Sequence, residues 1–281
     1  AAQSQSYWTS RAVTQAVNKN NSAQIKFENK SPIPSVPTSV QVVEKLAEMK
    51  PALSGNQIYS TAKSSVYRLI TRLRGMNSKL SHGSAFVVDT RGFLITNFHV
   101  VLPYLESQNK NEMVVEVLDR KLPADVLAID SINDLALIKV NFQFNNSISI
   151  ATESALSAGE SIFSMGFPKE EELTIIQGIF NGQQSGGIAP FFRASIPLNH
   201  GMSGGPTFNS KGEVVAVNRA VLPGSQNISY LSPLGSLQVL FSKISQNPVI
   251  APINSNWKRI VSQQILAQEK VYKVLSLRIE N

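Results

Sequence analysis

The chain has 281 residues, of which 42% are hydrophobic and 16% charged, so it can bury a sizeable core as a globular protein. It contains no cysteine, which excludes a disulfide framework, a cysteine-based zinc site and a thiol nucleophile. The net charge of +7 is uneven: residues 1–80 carry +8, residues 81–245 carry −4 and residues 246–281 carry +3. Because no aromatic residues interleave with the basic ones, the flanks are predicted to be solvated tails and no nucleic-acid partner is expected.

Residues 1–55 are predicted to form an N-terminal extension, which would serve as a propeptide, a linker or a strap on the domain surface. Loop-forming sequence rich in Asn or Pro occupies residues 18–22 and 31–37, and a short helix is predicted at about 40–49. The chain opens Ala1-Ala2-Gln3 without a methionine, which would suit a mature protein after removal of a signal peptide and would equally suit a truncated chain. No apolar stretch approaches the roughly 18 residues that a membrane span needs.

From about residue 56 to residue 245 the pattern changes to short strands. Runs rich in β-branched and aromatic residues lie at 65–70, 84–88, 93–96, 113–118, 124–129, 135–140, 161–165, 173–180, 191–196, 205–208, 214–218 and 229–231. Turn sequences ending in glycine at 89–92 and 209–212 join neighbouring runs, and a polar stretch at 141–147 separates two halves. This arrangement predicts an all-β barrel or sandwich.

The tail at residues 246–281 changes again and is predicted to be helical. Five apolar residues recur three or four positions apart, as on an amphipathic helix: Trp257, Ile260, Val261, Ile265 and Leu266. Asn254 or Ser255 is a candidate N-cap for that helix.

Three segments carry residue types suited to acyl transfer. In Gly201-Met202-Ser203-Gly204-Gly205-Pro206, glycines surround one serine, and such a backbone can turn N–H groups toward a developing oxyanion. His99 closes the apolar run Phe93-Leu94-Ile95-Thr96-Asn97-Phe98, and Asp134 opens the apolar run 135–138. Taken singly, each residue can also be explained by structure alone. Ser203 would lie in a tight turn, His99 would be a core histidine whose hydrogen bonds are satisfied, and Asp134 would cap a strand. A carboxylate that enters a core needs a partner, however, and a histidine N–H is one candidate.

The order of the three residues along the chain distinguishes between catalytic scaffolds. The template mechanism needs a nucleophile, a base bonded to it and a carboxylate that orients the base. The α/β-hydrolase order ends in His and the subtilisin order begins with Asp, whereas His99, Asp134 and Ser203 follow the chymotrypsin order.

The same segments resemble those of the bacterial trypsin-like serine peptidases of the HtrA/Deg kind. Residues 83–88 with Thr96-Asn97-Phe98-His99-Val100-Val101 resemble that family's histidine block, and Asn133-Asp134-Leu135-Ala136-Leu137-Ile138-Lys139 resembles its aspartate block. Asn199-His200-Gly201-Met202-Ser203-Gly204-Gly205-Pro206, followed by residues 211–218, resembles its serine block. The likeness covers roughly residues 56–245.

The resemblance implies two six-stranded antiparallel β-barrels, at 56–145 and 146–245, with the active site in the cleft between them. It implies a triad of His99, Asp134 and Ser203, and an oxyanion hole formed by the main-chain N–H groups of Gly201 and Ser203. By analogy, the substrate pocket lies near Leu198, Val221, Tyr230, Leu231 and Ser232. These residues are mostly apolar, so cleavage is expected after small or medium apolar residues. His200 raises a rival specificity for glutamate.

The family likeness also sets expectations for partners and location. Protein or peptide substrates are expected, with no cofactor and no metal, in the periplasm or outside the cell, and the basic flanks leave association with the envelope surface open. Because no PDZ domain is expected in the 36 residues after position 245, the family's PDZ-based assembly is not carried over. His82 and His200 are predicted to be exposed loop residues.

The sequence departs from the family pattern at two positions, and three other readings stay open. Met202 stands where Asn or Asp is usual, and Phe98 stands where a small residue is usual; both are predicted to reshape the wall of the cleft. The open readings are a silent or partner-activated pseudo-peptidase that binds peptides, a precursor inhibited by residues 1–55, and a basic-tailed nucleic-acid binder.

Overall fold

The computed structural model describes residues 51–76, 78–151, 156–184, 190–221, 227–233, 252–253 and 256–267. All of these residues lie in one unit of the chain, which begins at residue 50. The helix predicted at about 40–49 and the two candidate caps of the C-terminal helix, Asn254 and Ser255, lie outside the described residues.

Twelve strands form two closed antiparallel barrels, which confirms the predicted fold. The first barrel has the order β1-β2-β3-β6-β5-β4, with strands Val66–Leu73, Lys79–Asp89, Phe93–Thr96, Asn111–Val117, Arg120–Asp130 and Leu135–Val140 numbered β1 to β6. The second has the order β10-β11-β12-β9-β8-β7, with strands Ser161–Gly166, Thr174–Gln184, Phe191–Ser195, Pro206–Phe208, Val214–Val221 and Ile228–Pro233 numbered β7 to β12.

Apolar side chains fill three regions of this structure. Each barrel has its own interior, around Leu94, Val115 and Ile138 in the first and around Ile162, Ala194 and Leu231 in the second. A third cluster lies between the barrels and joins Phe86 of the first to Phe208 of the second. The shared cluster fixes the two barrels against each other and so positions residues that meet in the cleft.

Two helices in the described residues were not predicted from the sequence. Helix α1, Gly55–Ala62, begins at a capping box, in which the Ser54 hydroxyl accepts from Gln57 N–H while the Gln57 side chain accepts from Ser54 N–H. Only Ile58 and Ala62 of α1 are buried, so its helical periodicity is weak and the prediction of strands from residue 56 is wrong there. Helix α2, Phe98–Glu106, directly follows β3.

The predicted C-terminal helix is present at 257–267 and is named α3. Trp257, Ile260 and Val261 pack against the interior of the first barrel, as the periodicity predicts. Ile265 and Leu266, assigned to the same face, are 37% and 56% exposed, so the apolar contact ends after the first turns of α3. Among the described residues, no helix is long and apolar enough to span a membrane.

Candidate active site

His99 and Asp134 come from two neighbouring connections of the first barrel. His99 is the second residue of α2, immediately after β3, and Asp134 ends the turn that connects β5 to β6. Asp130 shapes that turn, because its carboxylate accepts from the main-chain N–H groups of Ile132 and Asn133 at 3.1 and 3.0 Å. Since β3 and β6 pair side by side, the ends of the two connections lie together.

The Asp134 carboxylate binds His99 through both of its oxygens. Oδ1 accepts from the main-chain N–H of His99 at 2.9 Å, and Oδ2 lies 2.8 Å from the ring atom Nδ1. The Asn97 amide donates to the main-chain oxygen of Asp134 at 2.8 Å. The Asp134 side chain is 9% exposed and that of His99 is 46% exposed, so a buried carboxylate orients an accessible imidazole. Because Asp134 engages Nδ1, the other ring nitrogen, Nε2, is the one available to a further partner.

Asp134 adopts a backbone conformation that few side chains tolerate. Its φ of 56° lies in the left-handed region, where Asp and Asn are among the few non-glycine residues found routinely. A bulkier or β-branched residue at 134 would therefore lose the backbone geometry as well as the carboxylate.

Ser203 lies on the second barrel, in the loop that leads into β10. Gly201 and Gly204 on either side of it have φ values of 93° and 86°, which lets the chain reverse around the serine. The Met202 N–H donates to Asn199 O at 3.0 Å, and the buried Asn218 amide donates to Met202 O at 3.1 Å. These bonds fix the loop from within the second barrel.

The main-chain N–H groups of Gly201 and Ser203 have no hydrogen-bond partner in the described part of the chain. The carbonyl of His200 accepts from Lys169 N–H at 2.8 Å, and in a trans peptide the following N–H, that of Gly201, points the opposite way. The loop therefore has two main-chain N–H groups, those of Gly201 and Ser203, without a hydrogen-bond partner among the described residues.

The Ser203 hydroxyl donates to the main-chain oxygen of Arg219, on β11, at 3.0 Å. Within the described residues, no hydrogen bond joins Ser203 to His99. The Arg219 side chain reaches the first barrel, where its Nε lies 3.4 Å from Asp134 Oδ2. Arg219 thus contacts both Ser203 and Asp134, and Asp134 in turn contacts His99.

Ser84 and Arg219 were missed in the sequence. The Ser84 hydroxyl, on β2, donates to Gly201 O in the serine loop at 2.7 Å, yet the segment that resembles the family's histidine block gives no sign of this contact. Arg219 lies on β11, directly after the residues that resemble the family's serine block, and nothing near it along the chain signals a contact with Asp134. Both contacts depend on how the two barrels pack.

The predicted pocket residues divide between the core and the surface. Leu198 and Leu231 are buried in the interior of the second barrel, at 6% and 0% exposure. Ser232 is also buried, and its hydroxyl has no partner among the described residues. Tyr230 is half-buried, with its ring in edge contact with Phe191 at a centroid distance of 4.6 Å. Val221 ends β11 and pairs with Ser229, and its side chain lies outside the described set.

The structure places some single residues differently from their predictions. His82 is a half-buried residue of β2, with Nε2 buried, and not an exposed loop residue; a Cβ on Gly201 would lie 3.0 Å from that nitrogen. His200 is an exposed turn residue, as predicted. Met202 is fully buried in the interior of the second barrel, so it does not form the wall of the cleft. Phe98 packs on Trp257 of α3, with ring centroids 6.4 Å apart.

Comparison with known proteins agrees with this architecture. Residues 83–217 match the family described as "Trypsin-like peptidase domain". The protein named "Probable periplasmic serine endoprotease DegP-like" from Hahella chejuensis is 29% identical over 69% of this chain and 41% of its own length. The protein of the same name from Ectopseudomonas mendocina is 28% identical over 66% of this chain and 39% of its own length. The chain therefore spans about two fifths of the length of these curated relatives.

A solved structure shares the fold. The chain in "Crystal structure of Deg5" superimposes with a TM-score of 0.58 at 22% sequence identity, over 67% of this chain and 92% of that one. The chain is therefore similar to trypsin-like peptidase domains over residues 83–217 and to proteins named DegP-like serine endoproteases over about two thirds of its length, and it has the same fold as the solved Deg5 structure.

Proposed function

We propose that the chain is a serine endopeptidase in which Ser203 is the nucleophile, His99 the general base and Asp134 the residue that orients the base. The observation that carries the proposal is that the Asp134 carboxylate contacts both the ring Nδ1 and the main-chain N–H of His99. A carboxylate held this way fixes the histidine tautomer with Nε2 free to accept a proton. The relatives, which are named serine endoproteases, give independent support.

In the proposed reaction the Ser203 hydroxyl first rotates from the Arg219 carbonyl toward His99. Nε2 takes the hydroxyl proton while Oγ attacks the carbonyl carbon of a peptide bond. The peptide oxygen becomes an oxyanion, and the free N–H groups of Gly201 and Ser203 donate to it. When the C–N bond breaks, the proton on Nε2 passes to the leaving amine. Water then hydrolyses the acyl-enzyme by the same steps, and the proton returns to Ser203.

Degradation of unfolded casein by the wild-type chain and by Ser203→Ala tests this proposal. We expect the alanine variant to lose at least about a thousandfold in kcat/KM, because removal of a nucleophile abolishes the covalent route. Asp134→Asn is expected to lose a comparable factor, since it gives His99 the wrong tautomer. Ser157→Ala is the matched control, because Ser157 is exposed on the same barrel and makes no side-chain hydrogen bond in the described residues.

Labelling with a fluorophosphonate gives a second readout. The probe is expected to modify wild type and Ser157→Ala equally and to leave Ser203→Ala unmodified. Equal labelling of Ser203→Ala and wild type would overturn the assignment of the nucleophile. Casein degradation that survives Ser203→Ala would overturn the proposed function.

A catalytically silent or partner-activated peptide-binding protein is the second candidate. The observation that favours it is the Ser203 hydroxyl, which bonds to Arg219 O and not to His99. Rotation about the Cα–Cβ bond of Ser203 would release this hydrogen bond, so the arrangement suits a resting enzyme as well. Tight peptide binding without cleavage by the wild-type chain, both with and without residues 1–55, would favour this candidate. A gain in cleavage on removal of residues 1–55 would make that segment inhibitory.

We further propose cleavage after small or medium apolar residues, through a pocket formed near Leu198, Val221 and residues 230–232. None of these five pocket residues carries a charge. Among those whose side chains are described, only Tyr230 is partly exposed. A peptide library cleaved after Val, Ala or Leu would support this specificity, and one cleaved after Glu would favour the rival inferred from His200.

The relatives are named periplasmic, and we propose the same compartment for this chain, with protein substrates. Contact of the basic flanks with the anionic envelope surface is part of the proposal. Weaker sedimentation with anionic vesicles at high salt than at low salt would support it.

A further inference from the structure

Arg219 contacts two of the three proposed catalytic residues. Its main-chain oxygen accepts from the Ser203 hydroxyl at 3.0 Å, and its guanidinium Nε lies 3.4 Å from Asp134 Oδ2. Because Arg219 belongs to the second barrel and Asp134 to the first, the ion pair joins the barrels at the active site. The Arg219 side chain is 31% exposed and that of Asp134 is 9% exposed, so the contact is only partly screened by solvent.

We propose that Arg219 is a positioning residue for the triad, which shares Asp134 Oδ2 with His99 and so sets the pH range in which His99 acts as a base. This inference rests on the proposed peptidase function. Oδ2 is within 2.8 Å of His99 Nδ1 and 3.4 Å of Arg219 Nε, so one oxygen serves two partners. The Arg219 charge partly compensates the Asp134 charge that stabilises a protonated imidazole. Removal of the Arg219 charge is therefore expected to move the acid limb of the pH–activity profile.

Other charged groups on the elements around the site have other partners or other neighbours. The Asp130 carboxylate accepts from its own turn, Lys139 Nζ donates to Arg91 O, and Lys258 Nζ lies over the Trp257 ring. His82 lies beside Gly201, and Glu106 ends α2. Of the described charged side chains, Arg219 is the one that forms an ion pair with Asp134 besides His99.

The pH dependence of kcat/KM on a peptide substrate tests the inference. In Arg219→Gln we expect the acid limb to move up by roughly half to one pH unit, the effect of removing one nearby charge in a solvated cleft. The plateau at high pH is expected to change less than about tenfold, because the triad itself is intact. Arg219→Lys keeps the charge and should restore most of the acid limb. Arg193→Gln, an exposed arginine of the same barrel, is the matched control and should leave the profile unchanged.

Proton NMR of the full chain provides a readout that needs no catalysis. The proton between His99 Nδ1 and Asp134 Oδ2 should give a downfield resonance, which is expected to move further downfield in Arg219→Gln because Oδ2 is no longer shared.

The outcomes separate the two claims. A resonance that moves in a chain without peptidase activity would reject the proposed function, and with it the role of Arg219 in catalysis, while showing that Arg219 and His99 share Asp134 Oδ2. An active chain in which Arg219→Gln and wild type share one acid limb and one resonance would reject the role of Arg219 and leave the function standing. A loss of plateau activity in Arg219→Gln without a shift on the pH axis or in the resonance would likewise reject it, since that is the signature of a purely structural residue.

Discussion

The main-chain N–H of Ser84, on the first barrel, donates to the main-chain oxygen of Ser203, on the second, at 2.8 Å. The side chain of the same serine donates to Gly201 O at 2.7 Å and accepts from Phe167 N–H at 3.1 Å. Ser84 is fully buried. One residue of β2 therefore holds the serine loop at two points, and the loop depends on the first barrel for its shape.

Ser84→Ala is expected to remove the two side-chain bonds and to keep the main-chain bond. Gly201 O and Phe167 N–H would then be left without these partners, which costs about 1–3 kcal/mol of the free energy of unfolding. Because Gly201 carries one of the proposed oxyanion donors, kcat is expected to fall more than KM rises. Urea unfolding and steady-state kinetics measure both effects.

Ser81→Ala is the control for that experiment. Ser81 lies on the same strand, and its hydroxyl donates to Val100 O over 3.5 Å, at the limit of a hydrogen bond. A Ser84→Ala variant that behaves like Ser81→Ala in stability and kcat would show that the serine loop does not depend on Ser84.

Gly204→Ala is expected to be far more damaging than its single added methyl suggests. A Cβ at 204 would lie 2.2 Å from both Ser84 O and Thr96 Oγ1, and φ is 86°. The two close contacts require the backbone of one barrel to shift relative to the other, and the positive φ adds strain of about 1–2 kcal/mol. We expect a total loss of more than about 3 kcal/mol by urea unfolding, together with loss of fluorophosphonate labelling.

Gly75→Ala separates strain from collision. Gly75 has a similar φ of 73°, but a Cβ there meets nothing within 4 Å. Its variant should lose only the strain of about 1–2 kcal/mol and keep its labelling. Equal losses in the two variants would mean that the collision with Ser84 O and Thr96 Oγ1 is relieved at no cost.

The fold could be predicted from the sequence because most strands show either alternating or continuous apolar residues, bounded by clear turn sequences. β3 and β6 appear at their predicted bounds, since each is a short apolar run between polar turns. Helix α2 was missed because its apolar residues continue those of β3, with Pro103 inside the helix. Helix α1 was missed because its signal is a cap at Ser54 and not a periodic apolar face.

The approach of His99 to Asp134 could also be anticipated, from residue types and chain order. The contacts made by Ser84 and Arg219 could not, because both cross from one barrel to the other. Their partners lie more than eighty residues away along the chain, and no local pattern specifies how two separate barrels pack. The orientation of Met202 into the core belongs to the same class, because the peptides of the glycine-rich loop decide which side chain turns inward.

Asp89→Asn is expected to lower stability in a pH-dependent way. Asp89 Oδ2 lies 2.6 Å from Arg91 Nη2, and the hydrogen bond from the Arg91 side chain holds the pKa of Asp89 below its usual value of 3.8. A lowered pKa in the folded state contributes stability that is present above 3.8 and is lost as the pH falls through the lower folded value. Because both side chains are partly exposed, 53% for Arg91 and 26% for Asp89, solvent screens the pair, and we expect a difference of about 0.5 kcal/mol at pH 7.

Urea unfolding of wild type and Asp89→Asn from pH 7 downward measures this difference. It should shrink as the pH falls below 3.8 and vanish below the lower folded pKa of Asp89, where the carboxyl of wild type is protonated in both states. Asparagine can still accept from the Arg91 main-chain N–H, so the turn itself is preserved. Arg91→Gln removes the other partner and should show the same pH dependence. A difference that stays constant across the pH range would mean that the ion pair contributes nothing.

Gln264 lies on α3, on the outside of the first barrel, and Gln264→Ala is nevertheless expected to reduce catalysis. The Gln264 amide donates to Ile129 O at 2.7 Å, and its oxygen accepts from the Ser131 N–H and hydroxyl at 3.0 and 2.7 Å. These bonds hold the turn that ends in Asp134. Their loss should reduce kcat several-fold with little change in KM and destabilise the chain by about 1–3 kcal/mol.

Gln263→Ala, the exposed neighbour on the same helix, is the control and should match wild type in both kcat and stability. Gln264→Glu keeps the acceptor for Ser131 and loses the donor to Ile129, so its kcat should lie between those of wild type and Gln264→Ala. An unchanged kcat in Gln264→Ala would show that Asp130 and Asn133 fix the turn alone. The graded loss is expected because Asp134 can orient His99 only while the turn that carries it stays in place.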